Sequence, residues 1–256
     1  MKKLLGLVGI VLAFMTTFSC TPTKAVTYTE LTSPMRADTV TLCATAIGPM
    51  FLPVFPLIDA SLFNAKAEEV APQIMSEEAD LVNEYQTMLL ADLNATLQAT
   101  VYTPDQLLDS NRLKESSVSG SLPTSNDIFP FLFYADNSLE LIDVGKGRNV
   151  RSKFTNPKDI QERVASISEQ TKSPLVLVSY NRLAVISIGM MGTTGTLRLE
   201  SNLFLYSRRG RLLAHVLGTT EPTNVGGRTL ARYKEQLDQF PELSRLMAKE
   251  MKRVLQ

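Results

Sequence analysis

From Leu175 to Leu217 the chain reads as consecutive extended stretches separated by turns, and this pattern restricts the fold more than any other. Leu175-Val176-Leu177-Val178-Ser179-Tyr180 is apolar and β-branched, and the extended pattern continues to Ile188. Gly189-Met190-Met191-Gly192-Thr193-Thr194-Gly195 is rich in turn residues. In the next stretch, Thr196 to Ser207, Leu197, Leu199, Leu203 and Leu205 alternate with Arg198, Glu200, Asn202 and Phe204. Period-two alternation predicts one buried and one wetter face, as in an antiparallel sheet. Arg209-Gly210 then turns the chain into Arg211 to Leu217, completing a hairpin.

Helical periodicity flanks this block. Ser76 caps a predicted helix reaching Ala99, with Glu77, Glu78 and Asp80 at its positive end. Leu81, Tyr85, Met88, Leu89, Leu93 and Leu97 form one apolar stripe along it. Val101 and Tyr102 are extended, and Thr103-Pro104-Asp105-Gln106 opens a short helix through a capping residue and a first-turn proline. Asn156-Pro157-Lys158-Asp159 opens another, with Ile160, Val164 and Ile167 inward. Helices over Thr229 to Gln239 and Pro241 to Leu255 end the chain. A further strand is expected at Thr39 to Ala46, with Cys43 a buried thiol. Residues 111–125 are polar and loop-like, and 127–149 are apolar pieces broken by Pro130 and Gly145-Lys146-Gly147. The expected fold is α+β: a mixed sheet packed by helices on one or both faces, with a C-terminal hairpin and helices.

The chain begins Met1-Lys2-Lys3, runs apolar and uncharged from Leu4 to Phe18, and reaches Ser19-Cys20. A positive start, a short apolar stretch and a small residue before a cut site make an export signal. Thr17-Phe18-Ser19-Cys20 resembles the lipobox of bacterial lipoproteins, with Thr17 where leucine is usual. The resemblance implies cleavage before Cys20 and acylation of its sulfur. Each buried methylene adds about 0.8 kcal/mol, so two or three chains hold a protein on a bilayer. The expected organisation is a signal peptide over 1–19, a lipidated cysteine and Thr-, Pro- and Ser-rich tether over 20–37, and a single α+β domain over 38–256. Thr21 is not the aspartate of inner-membrane retention, and no acidic cluster follows Cys20. The sorting resemblance therefore implies an outer-membrane lipoprotein facing the periplasm.

Removing residues 1–19 takes Lys2 and Lys3 and no acidic residue, which leaves 24 basic against 26 acidic side chains. That balance argues against a nucleic-acid partner. With 44% hydrophobic residues the chain can bury a real core.

The capped helix from Ser76 to Ala99, Thr103-Pro104-Asp105, the strand Leu175 to Tyr180 and the Leu-Tyr-x-x-x-Gly-x-Leu hairpin of Leu205 to Leu212 resemble an envelope group. That group comprises the curli-secretion lipoprotein, the lipoprotein activators of penicillin-binding proteins and the N-terminal domain of the Tol-system propeller protein. The pattern spans about two thirds of the mature chain, and residues 111–149 depart from it. The resemblance implies a non-catalytic domain that binds an envelope protein or assembles with itself.

The residues offer little chemistry. His215 is the one histidine, so two-histidine metal sites are excluded, and a packed or surface strand histidine is the expected role. Gly189, Gly192 and Gly195 lack the Gly-Lys-Ser/Thr ending of a phosphate loop and precede a strand, not a helix. No metal and no cofactor are expected. Contact candidates are Phe51, Val54 and Phe55 in the proline-interrupted apolar segment 48–58, Met190 and Met191 in the glycine-rich turn, and Arg208 and Arg209 in the basic turn. Segment 48–58 is open to two readings, a loop folded over the core or an apolar contact surface. The function expected is a membrane-anchored envelope lipoprotein, not an enzyme, held by Cys20 and engaging a protein partner or other copies of itself. The alternative is a lipid-anchored hydrolase acting on cell-wall or glycan substrates through two carboxylates about 5–10 Å apart.

Overall fold

Two long apolar strands form the spine. In the computed structural model, which describes residues 23–47, 81–107, 133–134, 150–155, 158–189, 194–226 and 230–256, alternating leucines and valines draw them into one antiparallel ladder. The ladder runs from Leu175↔Ser207 to Ile188↔Gly195. For labelling, the strands in chain order are β1 (Lys24–Thr29), β2 (Thr39–Ile47), β3 (Thr100–Tyr102), β4 (Phe133–Tyr134), β5 (Leu175–Ile188), β6 (Thr194–Ser207), β7 (Leu212–Thr219) and β8 (Thr223–Gly226). They form one sheet ordered β1-β7-β6-β5-β2-β3, with β4 on β2 and β8 on β6. β2 is parallel to both β5 and β3, and the other pairings are antiparallel. The sheet is therefore mixed, and its parallel half needs the helical crossovers that precede β3 and β5.

The helices are α1 (Leu81–Thr96), α2 (Pro104–Leu107), α3 (Val150–Thr155), α4 (Lys158–Thr171), α5 (Leu230–Leu237) and α6 (Phe240–Leu255). On one face of the sheet Leu42, Leu177, Leu199, Leu203 and Val216 lie under Leu89 and Leu93 of α1 and Leu243, Met247 and Met251 of α6. The Tyr85 ring stacks on Phe240 at 3.7 Å, and its hydroxyl donates to Leu237 O at 2.7 Å, tying α1 to the α5–α6 corner. Opposite, Val176, Val178, Tyr180, Phe204 and Tyr206 are covered by Phe154 of α3 and Ile160, Val164 and Ile167 of α4. A register shift between Leu42 and Ala44 bulges β2. Both Cys43 and Ala44 consequently belong to this second core. Cys43 is buried and not in a disulfide, and burial raises its thiol pKa far above the ordinary range. The α2 cap is a half capping box, with Thr103 N–H donating to Gln106 Oε1 at 2.9 Å.

Two expectations are corrected, and one strand is added. Lys24–Thr29 is not tether but the outer strand β1, seated by six register pairs with β7 and by Thr27 Oγ1 donating to Glu250 Oε2 at 3.0 Å. The tether reading failed because a short edge strand that is only partly covered shows little hydrophobic alternation. Most of the wetter face expected for β6 is also buried: Glu200, Asn202 and Phe204 are 8%, 2% and 0% exposed, whereas the Arg198 side chain stays 33% exposed. Sheets covered on both faces lose their alternation of burial although their sequences keep alternating. Finally β8, after the hairpin, had no sequence counterpart. Apart from β4, the segment 111–149 lies outside the described residues.

Candidate interaction surface at the outer strand

β1 ends the sheet, and among the described residues no strand pairs with its outer edge. Glu30 N–H donates to Leu213 O at 3.3 Å, in register with the β1–β7 ladder. In an antiparallel ladder, hydrogen-bonded positions alternate along a strand. The backbone groups of Lys24, Val26 and Tyr28 therefore face β7, and those of Ala25, Thr27 and Thr29 face outward. Val26 and Tyr28 are 42% and 40% exposed and, with Ile186, are the exposed large hydrophobic residues among those described. Folded proteins shield such edges with charges, prolines, bulges or very short strands. β1 has one charge, Lys24, no proline and an unbroken register. It is an open template for another strand.

An aromatic row supports this edge from within. The Tyr28 ring lies 5.6 Å from His215, His215 4.5 Å from Phe204, and Phe204 4.3 Å from Phe154, with interplanar angles of 19°, 13° and 14°. The Arg151 guanidinium sits 5.2 Å from the Tyr28 centroid, a cation–π distance. Arg151 and Phe154 are three apart on α3 and so project from one side of it. Asn202 Nδ2 donates to Tyr180 O at 3.1 Å, which leaves Asn202 Oδ1 to accept from His215 Nε2 at 3.0 Å. That arrangement assigns the tautomer: Nε2 carries the proton, and Nδ1, which makes no hydrogen bond among the described residues, keeps its lone pair.

Burial first, and the charge of Arg151 second, lower the His215 pKa to about 3. The folded value lies below the unfolded value of about 6.5, so the unfolded chain takes up the proton first. The stability held by neutral His215 is complete above about pH 6.5 and is lost as the pH falls toward about 3. Between pH 7 and pH 4 the native protein is expected to lose about 2–3 kcal/mol more than His215→Gln. Urea melts at the two pH values check this; equal losses in both proteins would show that His215 is not the titrating group.

Beyond the aromatic row, on the same sheet face, lies an ion network. Arg182 is directly opposite Glu200 across β5 and β6, and Arg198 is two residues before Glu200 on the same strand. Arg182 donates to Glu200 Oε2 at 3.0 Å and 3.1 Å, and Arg198 to Oε1 at 2.5 Å and 3.1 Å. Both carboxylate oxygens are thus engaged by arginines. Among the described residues no group of three or more His, Cys, Asp or Glu side chains is arranged to hold a metal. A shallow cleft of about 240 Å³ separates β1 from the end of α6, lined by Thr27, Thr29, Ser33, Glu250 and Arg253 among others.

Of the contact candidates expected from sequence, Arg208 and Arg209 are exposed in the β6–β7 turn, as expected for a basic hairpin tip. The neighbouring Arg211 pairs with Glu30 at 3.3 Å, which brings this turn beside the far end of β1. Cys20, Phe51, Val54, Phe55, Met190 and Met191 lie outside the described residues. Tyr28, Arg151, Phe154 and His215 were not grouped by sequence reasoning, because they come from three separated segments. The β-branched and aromatic residues of Lys24-Ala25-Val26-Thr27-Tyr28-Thr29 were the available signal for β1.

No protein-family model matches this chain. No curated protein matches it either. Among solved structures, it is similar to the PelC dodecamer from Paraburkholderia phytofirmans, with a TM-score of 0.35 and 9% identity over 90% of this chain and 97% of that one. A point variant of that dodecamer gives a TM-score of 0.34, with 9% identity over 91% of this chain and 97% of the other. At this distance no property carries across.

Proposed function

We propose that the chain is a lipid-anchored envelope protein whose α+β domain is non-catalytic and serves protein binding or the assembly of an envelope complex. The lipid is on Cys20, and the domain faces the periplasm from the outer membrane. The observation that carries the binding role is the open edge of β1, with Val26 and Tyr28 exposed along it. Strand addition at such an edge draws affinity from main-chain hydrogen bonds and specificity from alternate side chains. The anchor reading rests on Met1 to Cys20. Among the described residues no helix is long and apolar enough to cross a membrane.

The test is capture of the full-length protein from detergent-solubilised envelopes beside Cys20→Ala, with mass spectrometry of the N-terminus and of the co-captured chains. A diacylated Cys20, together with a reproducible partner or a second copy, is the expected result. An unmodified N-terminus overturns the anchor. A lipidated protein that retains neither partner nor second copy overturns the binding role.

A further inference from the structure

We propose that the occupant of the open edge is β1 of a second copy of this chain, paired antiparallel about a two-fold axis through Thr27. This specifies the partner for the assembly role proposed above and rests on that reading. The geometry allows only certain registers. Outward-facing backbone groups belong to the odd-numbered residues, so each of them must meet an odd-numbered residue of the other copy. Among such registers, the one centred on Thr27 is self-complementary. Ala25 then faces Thr29, and Thr27 faces its own counterpart, in hydrogen-bonded pairs giving about six new backbone hydrogen bonds. On the face that carries the aromatic row, Val26 meets Tyr28 at the closer, non-hydrogen-bonded positions, a β-branched–aromatic pair. Lys24 meets Glu30 at both ends, closing the strip with opposite charges. Glu30 binds Arg211 through Oε2, so its other oxygen serves Lys24.

Neighbouring registers lose these matches. Centred on Val26, the pairing sets Lys24 against Tyr28; centred on Tyr28, it sets Val26 against Glu30. An isologous contact of this kind closes on itself and stops at two copies. It also covers the two exposed hydrophobic side chains of β1 and joins two sheets into one.

The experiment uses the full-length protein in detergent. Under mild oxidation, T27C is expected to form a disulfide-linked dimer. Hydrogen-bonded antiparallel pairs place their Cα atoms about 5.5 Å apart, inside the range a disulfide spans. V26C is the register control, because each Val26 faces Tyr28 and lies beyond disulfide reach of its own counterpart. Buried Cys43 should take no part in either reaction. Independently, light scattering of the unmodified protein should give twice the chain mass. K24E, which sets two glutamates opposite each other at both ends of the strip, should shift it toward one chain mass, and K24E/E30K should restore the dimer. A monomer at every concentration, cross-linking of V26C as strong as that of T27C, or no rescue by the charge swap each overturns self-pairing. A monomer that still captures another envelope protein would sink this inference alone, whereas loss of every partner would also sink the binding role.

Discussion

Replacing Glu200 by glutamine is expected to lower the free energy of unfolding by about 1.5–3 kcal/mol, because it takes the charge from the acceptor of two hydrogen bonds of the buried Arg182. The Arg182 side chain is 3% exposed and that of Glu200 10%. Both charges have been taken out of water, and their attraction must offset that desolvation. Glutamine keeps the size and one acceptor oxygen but not the charge. Arg198, at 33% exposure, can turn toward solvent, whereas Arg182 cannot. The exposed pair Arg211–Glu30 is the internal standard, and Glu30→Gln is expected to cost at most about 1 kcal/mol. Denaturant titration of the variants decides the matter. If Glu200→Gln costs no more than Glu30→Gln, the pair is effectively solvated, and the buried account of this face is wrong.

Gly210→Ala is expected to destabilise by about 2–5 kcal/mol, a sum of two separate effects. Gly210 has a φ of +73°, in the left-handed region that costs other L-residues roughly 1–2 kcal/mol. A Cβ there would also fall 2.1 Å from Gln161 O and 2.7 Å from its carbonyl carbon, backbone atoms of α4 that no rotamer change can move aside. The β6–β7 turn thus packs directly against the helix covering the second core. In a domain of this size 1 kcal/mol corresponds to roughly 2–4 °C in Tm, so a thermal melt resolves the effect. An unchanged melting temperature would mean that the turn can lift from α4 at no cost.

Much of this architecture was legible because its signals are local. The stripe Tyr85, Leu89, Leu93 and Leu97 became the buried side of α1, and Ile160, Val164 and Ile167 that of α4. The apolar run from Leu175 to Ile188 became β5, and Arg209-Gly210 the turn after β6. What was not legible depends on partners distant in sequence. Glu200 and Asn202 look like a wet face until Arg182 and Tyr180 are placed opposite them on β5. His215 looks ordinary until Tyr28 and Phe204 close on its two sides. β1 fails the alternation test because its worth lies in its backbone, which completes β7, and not in its side chains.

The pairing of β1 with β7 also bears on the order of events during folding. Thr29 Oγ1 donates to Leu213 O across a separation of 184 residues, and Thr27 reaches Glu250 across 223. Contacts of such span carry the largest loop-closure entropy and slow the search for the native state. When the chain emerges from its N-terminus, the first strand to appear cannot be seated until β7 has arrived. For that interval both of its edges stand open. The edge that later belongs to β7 is then as available to a stranger as the outer one, so prompt arrival of residues 212–219 governs whether a young molecule completes itself or becomes entangled with its neighbour.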